Sequence, residues 1–123
     1  MQQTVDFDYV MEVHEQLVQG KHCLAGIRDE NLLISAIDGQ YWYEYGIEQV
    51  IHVAYSICAN HVFTDGNKRT CFLTLKSLET DLGYVCDWEC IAQIVLDLAT
   101  YSTEKQLFHQ QIRQCIFEDL KNI

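Results

Sequence analysis

The chain has 123 residues, of which 49% are hydrophobic, and its 18 acidic and 8 basic residues give a formal net charge of −10. A surface this acidic repels phosphate backbones and anionic lipids, which argues against binding to nucleic acids or membranes. The sequence shows neither a secretory signal nor an apolar stretch approaching the roughly 20 residues that cross a bilayer. We therefore expect a soluble, cytoplasmic protein with a single domain over residues 1–123.

Helical periodicity dominates the first half of the chain, which contains no proline and places its glycines between periodic segments. Three helices are predicted before residue 61, each bounded by a capping residue or a glycine. They run from Asp6 or Asp8 to Gln19, from Asp29 to Gly39, and from Ile47 to the residues just before His61.

Residues 40–46, QYWYEYG, interrupt this helical pattern. Their alternating aromatic side chains predict a short extended hairpin or flap rather than a helix. In one interpretation Tyr41, Trp42, Tyr43 and Tyr45 simply cover the bundle. In the other they form a docking edge for a target protein, because Tyr and Trp are favoured in contact surfaces.

Three further helices are predicted after residue 66, with a short extended link at residues 84–86. They run from residues 65–67 to Leu82, from a cap at Asp87, and from Ser102 or Thr103 with Glu104 in the first turn and Leu120 near the end. The sequence contains no internal repeat and no linker. The prediction is one all-α helical bundle with a short extended flap.

Residues 61–70, HVFTDGNKRT, gather an imidazole, a carboxylate and two cations around one glycine. A helix that begins at residues 65–67 leaves its first backbone N–H groups without intrahelical partners. Those groups and the helix dipole favour an anion, and Lys68 and Arg69 add positive charge. Gly66 permits a close approach of the backbone to a ligand. The motif therefore predicts a phosphate-binding site.

The same ten residues supply candidates for chemistry. Asp65 is a candidate ligand for Mg²⁺, which commonly binds one or two carboxylates together with phosphate oxygens. His61 is a candidate general base, since an imidazole that titrates near neutrality can accept the proton of an attacking hydroxyl. Phe63, pointing inward, would anchor the loop. The alternative is an ordinary helix–helix turn in which Asp65 and His61 cap helices and the cations are solvated.

The motif resembles the signature His-x-Phe-x-Asp/Glu-Gly-Asn-x-Arg of the Fic/Doc (Fido) family. Lys68 stands where Fic enzymes have a glycine and Phe72 where they carry a second arginine, which is similar to the Doc-type "death on curing" toxins of toxin–antitoxin modules. Residues 26–36, GIRDENLLISA, are similar to a segment common upstream of the motif in Doc-type chains. Gly66 departs from this pattern, because the best-known Doc toxin has alanine there.

This resemblance implies a helical Fido domain that binds ATP and Mg²⁺ at the motif loop. It assigns one role to each motif residue: His61 as general base, Asp65 as Mg²⁺ site, Phe63 as structural anchor, Gly66 and Asn67 as anion hole, and Lys68 and Arg69 as phosphate-binding residues. No inhibitory Ser/Thr-x-x-x-Glu-Gly/Asn motif occurs in the chain. We therefore expect restraint by a separate partner, the cognate antitoxin.

The activity implied by the resemblance depends on the branch of the family. Fic enzymes transfer a nucleotidyl group to a protein hydroxyl, whereas Doc toxins bind the nucleotide inverted and transfer the γ-phosphate to a threonine of elongation factor Tu. The leading expectation is therefore a toxin kinase that inhibits translation. A Fic-like nucleotidyltransferase (AMPylation) and a non-catalytic binding module remain alternatives.

Overall fold

A computed structural model, which describes residues 2–117, contains seven α-helices and one 3₁₀ turn. The α-helices are α1 (Phe7–Gln19), α2 (Glu30–Gly39), α3 (Ile47–Ala59), α4 (Asn67–Leu75), α5 (Ser77–Thr80), α6 (Trp88–Tyr101) and α7 (Lys105–Gln114), and the 3₁₀ turn is Gln40–Trp42. Within the described part, β-structure is limited to two isolated bridges, Ile27 with Phe63 and Cys86 with Ile116. The predicted all-α fold is confirmed. No helix described here is long and apolar enough to cross a membrane.

Aspartate caps set the beginnings of three helices at positions that the sequence predicted. The side chain of Asp6 accepts the N–H of Tyr9, that of Asp29 accepts the N–H of Asn31, and that of Asp87 accepts the N–H of Cys90. Each bond satisfies a donor that the first turn of a helix leaves open.

The centre of the bundle is α3, and every other described element except α1 packs against it. Five of its apolar side chains are fully buried: Val50, Ile51, Val53, Ala54 and Ile57. Residues 60–66 connect the end of α3 to the beginning of α4. The predicted phosphate-binding loop is therefore attached to the central, well-packed helix of the described part of the chain.

The extended flap predicted for residues 40–46 is wrong in its first half. Residues 40–42 form a 3₁₀ turn that continues directly from α2, and Tyr43, which follows the turn, is extended. The cause is Gln40, whose buried side-chain amide donates to the carbonyls of Val5 at 2.6 Å and Ile37 at 2.9 Å. These bonds hold the segment against the N-terminal residues without strand pairing.

Two predicted helix boundaries also differ. The helix expected to reach Leu82 is divided at Lys76, whose N–H turns to the carbonyl of Leu73 three residues earlier at 3.1 Å. The last helix begins at Lys105, because Ser102 ends α6 in a left-handed conformation (φ 55°) and Glu104 occupies the extended cap position. Leu120 lies outside the described residues.

Candidate active site

Residues 60–66 border a polar cavity of about 490 Å³. Six residues that the sequence singled out line it together: His61, Asp65, Gly66, Asn67, Lys68 and Arg69. The end of α6 closes one side through Ala99 and Thr100, and His22, from the segment between α1 and α2, also contributes to the wall. Imidazole, carboxylate and both cations therefore face one space.

The N-terminus of α4 opens into this cavity without a side-chain cap. Gly66 occupies the cap position in a left-handed conformation (φ 80°), and no side chain there bonds to the first turn. The first N–H groups of α4 have no intrahelical acceptors, so they remain available to an anion. Lys68 and Arg69, both exposed, add two positive charges to the same turn.

Asn67 has a more structural role than the resemblance alone implied. Its side-chain oxygen accepts the N–H of Phe63 at 2.9 Å, and its amide nitrogen donates to the carbonyl of Phe63, also at 2.9 Å. Both functions of the carboxamide are therefore used to close the loop. What Asn67 offers to an anion is its backbone N–H.

Phe63 lies beneath the loop, where the sequence predicted an anchor, and it is 1% exposed. Its ring stacks on the imidazole of His14 with centroids 3.8 Å apart and an interplanar angle of 6°. The Nε2 atom of His14 lies 2.9 Å from the carbonyl oxygen of Asp65 and donates to it, because a carbonyl can only accept. The stacked pair therefore holds the loop at Phe63 and at Asp65.

Asp65 presents an ionised carboxylate beside the phosphate-binding turn. Backbone N–H groups of Leu24, at 2.8 Å, and of Gly66 hold its pKa below the usual value, with smaller contributions from His14 and Arg69. Residues 2–117 contain no cluster of three metal-ligating side chains. An ionised carboxylate suits Mg²⁺, whose other ligands would then be phosphate oxygens and water.

His61 follows the end of α3 in a left-handed backbone conformation (φ 50°) that is uncommon for residues other than glycine. The guanidinium of Arg28 holds this conformation by donating from Nε to the carbonyl of His61 and from a terminal nitrogen to that of Asn60, both at 2.7 Å. The imidazole is exposed and lines the cavity.

Three residues that build this site have no role predicted from the sequence, namely His14, His22 and Arg28. His22 is a second imidazole in the cavity wall, and its carbonyl accepts from Arg69 at 2.9 Å. No motif or spacing in the sequence marks the two histidines, because only the fold brings them to the loop. Arg28 did carry a signal, since it lies in the GIRD stretch that resembles Doc-type chains.

The predicted docking residues are not part of the cavity. Tyr41 and Tyr43 line a separate surface depression, and Trp42 is 90% exposed. The 3₁₀ turn precedes the N-terminus of α3, whereas His61 follows its C-terminus, and a helix of 13 residues is about 20 Å long. The segment that borders Asp65 is instead residues 22–27, where Leu24 is 70% exposed.

Comparison with known proteins identifies the family of the chain. A sequence model of the Fic/DOC family matches residues 4–78, which is more than half of the chain and includes α1 to α4 with the whole motif. Neither the curated proteins nor the solved structures gave a match.

Proposed function

Because the chain belongs to the Fic/DOC family, whose members generally are enzymes that transfer nucleotide-derived groups to proteins, we propose that it is a Doc-like kinase. In this proposal it transfers the γ-phosphate of ATP to a serine or threonine hydroxyl of a protein target. The observation that carries the proposal is the convergence of His61, Asp65, Lys68 and Arg69 on the uncapped N-terminus of α4.

Binding of the phosphates follows from local charge. The first N–H groups of α4 and the positive end of its dipole face the cavity, and Lys68 and Arg69 extend this positive region. The protein as a whole carries a formal charge of −10, so this turn is a local exception. A triphosphate is held there mainly by groups that the fold has already oriented.

Proton transfer is assigned to His61. As the hydroxyl oxygen of the target bonds to the γ-phosphorus, the bond from that phosphorus to the bridging oxygen breaks and ADP leaves. The hydroxyl proton passes to an imidazole nitrogen of His61. A positioned base of this kind typically accelerates transfer by about 10²–10⁴-fold. Arg28 serves this step by fixing the backbone of His61.

Asp65 is the residue that would hold Mg²⁺. When bound, Mg²⁺ neutralises charge on the phosphate oxygens and on the leaving group. The backbone donors at Leu24 and Gly66 keep the carboxylate ionised, so Asp65 does not have to lose a proton before binding a cation.

Two residues favour γ-phosphate over nucleotidyl transfer. Lys68 places a long cationic side chain where Fic enzymes have glycine, and Phe72 replaces the arginine that those enzymes carry one turn later. Phosphate-binding charge is therefore concentrated in the first turn of α4. The next turn of the same helix face is apolar and suits a different part of the nucleotide.

By family resemblance we extend the proposal to partners. The target is a threonine of elongation factor Tu, the consequence is inhibited translation in the bacterial cytoplasm, and a cognate antitoxin neutralises the toxin. Residues 22–27 replace residues 40–46 as the candidate docking edge for the target, because Leu24 is exposed beside Asp65.

The experiment is to incubate the purified protein and Mg²⁺ with a bacterial lysate, and separately with purified elongation factor Tu, using γ-labelled or α-labelled ATP. The proposal predicts that only the γ label enters protein. Transfer of the α label instead identifies a nucleotidyltransferase. Absence of transfer from either label identifies a non-catalytic binding module.

A further inference from the structure

Three tyrosines at alternating positions meet at one surface depression. Tyr41, Tyr43 and Tyr45 line it together with Gln2 and Gln49, and it measures about 270 Å³. This is below the roughly 300–1,000 Å³ that small-molecule sites occupy, so the depression suits a single side chain better than a cofactor. It lies at the beginning of α3, at the opposite end of that helix from the motif loop. The proposed function uses none of these five residues.

Two buried glutamines hold the backbone of this segment. The side-chain oxygen of Gln40 accepts the N–H groups of Thr4 at 2.9 Å and Val5 at 3.0 Å, and its amide nitrogen donates to two further carbonyls. The amide nitrogen of Gln49 lies within 3.2 Å of three carbonyl oxygens, including that of Tyr43. Burying an amide is unfavourable unless it is bonded in this way. These bonds fix a segment whose aromatic side chains nevertheless remain at the surface.

The aromatic side chains are themselves partly fixed. The ring of Tyr43 stacks on an imidazole of α7 with centroids 5.3 Å apart, and the hydroxyl of Tyr41 donates to the side-chain oxygen of Gln3 at 2.9 Å. Tyr45 is 58% exposed and Trp42 is 90% exposed. Rings that are already held in position lose little conformational freedom when a partner binds. The segment is therefore a preorganised aromatic surface.

The charges around this surface are negative. No lysine or arginine occurs in residues 29–67, and the carboxylates of Asp38 and Glu44 are exposed. Glu44 lines a second depression of about 320 Å³, which shares Tyr45 with the first. That depression also contains Glu48 and Arg113, but these two pair with each other at 3.0 Å. Glu44 has no ion-pair partner within residues 2–117, so its charge is available to a ligand.

We propose that the depression lined by Tyr41, Tyr43 and Tyr45 binds an arginine or lysine side chain from a basic segment of a partner protein. The faces of aromatic rings attract cations, and Glu44 adds a negative charge beside them. Arginine suits the site best, because its planar guanidinium stacks on rings and stays charged.

The occupant is a different protein and not a second copy of this chain. Each copy carries a formal charge of −10, so two copies repel each other. The inference does not rest on the proposed function, because the length of α3, about 20 Å, separates this surface from the motif loop.

The test compares two fluorescently labelled peptides, a short oligo-arginine and the matching oligo-citrulline, in which each side chain has nearly the same shape but no charge. Affinities are measured by fluorescence anisotropy at about 0.15 M salt, where general attraction to an acidic protein is screened. The double variant Tyr41→Leu/Tyr45→Leu removes two rings, and Tyr41→Phe/Tyr45→Phe is its matched control, because it keeps the rings. Tyr101→Leu removes a ring that is 77% exposed on α6, outside both depressions.

The inference predicts that Tyr41→Leu/Tyr45→Leu weakens oligo-arginine binding by about fivefold or more, since an exposed cation–π contact contributes roughly two- to fivefold per ring. The phenylalanine double variant and Tyr101→Leu should stay within about twofold of the unaltered protein. Glu44→Gln should also weaken binding, whereas Asp97→Asn, the same loss of charge on α6, should not. Oligo-citrulline should bind at least about fivefold more weakly than oligo-arginine.

Four outcomes would overturn the inference. They are no measurable oligo-arginine binding by the unaltered protein, equal binding of both peptides, undiminished binding in the leucine double variant, and a loss of Mg-ATP affinity that accompanies the loss of peptide affinity. The last outcome would show that the substitutions disturb the fold as a whole. Folding is checked by circular dichroism, and if the double variant does not fold, Tyr45→Leu alone decides, because that side chain is largely exposed.

Discussion

At the scale of single residues, the site is built from groups that are partly engaged by the fold and partly free. The carboxylate of Asp65 accepts backbone N–H groups and still faces the cavity. The carboxamide of Asn67 closes the loop, while its backbone N–H stays available to a ligand. Removing one of these side chains therefore affects loop geometry as well as ligand binding, and variants must separate the two effects.

Asp65→Asn separates the effect on loop geometry from the effect on ligand binding at the proposed Mg²⁺ site. The amide oxygen of asparagine still accepts the N–H of Leu24, so the loop is retained, but the negative charge is lost. We expect the Mg²⁺ concentration needed for half-maximal ATP binding to rise by about tenfold or more. The measurement is a Mg²⁺ titration at fixed ATP concentration. Asp29→Asn, at a helix cap outside the cavity, is the control, and an unchanged Mg²⁺ requirement in Asp65→Asn would contradict the assignment.

Arg28→Ala tests whether the guanidinium of Arg28 fixes the backbone conformation of His61. Loss of two hydrogen bonds, each 2.7 Å long, frees the left-handed backbone at His61. We expect the rate of γ-phosphate transfer to fall by about tenfold or more, because misplacing a catalytic group is costly, with Mg-ATP affinity nearly unchanged. Arg28→Lys should recover little, since a lysine cannot reproduce the paired bonds of the guanidinium. Loss of nucleotide affinity equal to the loss of rate would rule out this positioning role.

How much of the site the sequence predicts depends on how local each signal is. His61, Asp65 and the cations share ten residues, so the motif alone indicates that they lie together. His14 is 51 residues from Asp65 along the chain, and only the packing of α1 against α4 brings them together. Contacts of that kind leave no periodicity or spacing in a single sequence.

At the scale of elements, the loop between α3 and α4 depends on the segment between α1 and α2. The N–H of Thr64 donates to the carbonyl of Gly26 at 3.0 Å, and Ile27 pairs with Phe63 in a single bridge. Cys23 comes close to Gly66. The two connections therefore form one unit, and a change in either is expected to disturb the other.

Gly66→Ala tests the close approach of Cys23 to Gly66. At φ 80° a side chain is strained, and an added Cβ would lie 2.7 Å from Sγ and 2.9 Å from Cβ of Cys23. We expect the free energy of unfolding to fall by roughly 1–3 kcal/mol and Mg-ATP affinity to drop as the loop shifts. Denaturant unfolding and nucleotide titration measure the two effects.

The control for that variant is Gly46→Ala. It also strains a positive-φ glycine (φ 112°), but no atom lies within 4 Å of the added Cβ. It lies before α3, at the end opposite to the motif loop, so it should reduce stability without changing Mg-ATP affinity. If Gly66→Ala likewise left nucleotide affinity unchanged, the loop would tolerate the shift and the coupling argument would fail.

Among the element predictions, the aspartate caps of three helices are confirmed, whereas the helix predicted to reach Leu82 is divided at Lys76 and residues 40–42 of the predicted flap form a 3₁₀ turn. Alternating aromatic residues gave the pattern of a strand, yet the buried amides of Gln40 and Gln49 decide the local conformation. A glutamine that is fully buried and bonded to several backbone groups is not distinguishable, by sequence alone, from an exposed one. Prediction of the flap failed for that reason.

At the scale of the whole molecule, the two ends of α3 differ in character. One end carries the polar cavity, and the other packs the imidazoles of His52 and His109 around the ring of Tyr43. His109 bonds to Glu48 at 2.6 Å, and Arg113 pairs with the same carboxylate at 3.0 Å. Within residues 2–117 neither ring nitrogen of His52 has a hydrogen-bond partner.

His52 makes stability depend on pH. Burial, followed by Lys105 and His109 nearby, lowers the pKa of His52 from 6.5 to about 4. Between those values the unfolded chain binds a proton at this position and the folded chain does not, so acidification favours unfolding. This contribution to stability is present above about pH 6.5 and is lost as the pH falls toward 4.

His52→Leu should reduce the loss of stability on acidification. We expect the difference in unfolding free energy between about pH 7 and about pH 4.5 to shrink by roughly 1–2 kcal/mol, less than the full pKa shift implies because the ring is partly exposed. Denaturant unfolding at both pH values provides the measurement, with His22→Leu as an exposed-histidine control. An identical pH dependence in His52→Leu and the unaltered protein would contradict the assignment.

The most direct test of the proposed mechanism compares His61→Ala with His22→Ala, since both imidazoles line the cavity and only one is assigned as the base. The rate of γ-phosphate transfer and the Mg-ATP affinity are measured on the same preparations. The mechanism predicts that His61→Ala loses about 100-fold or more in rate with Mg-ATP affinity retained, and that His22→Ala keeps most of its rate. Full transfer activity in His61→Ala, or the greater loss of rate in His22→Ala, would contradict it.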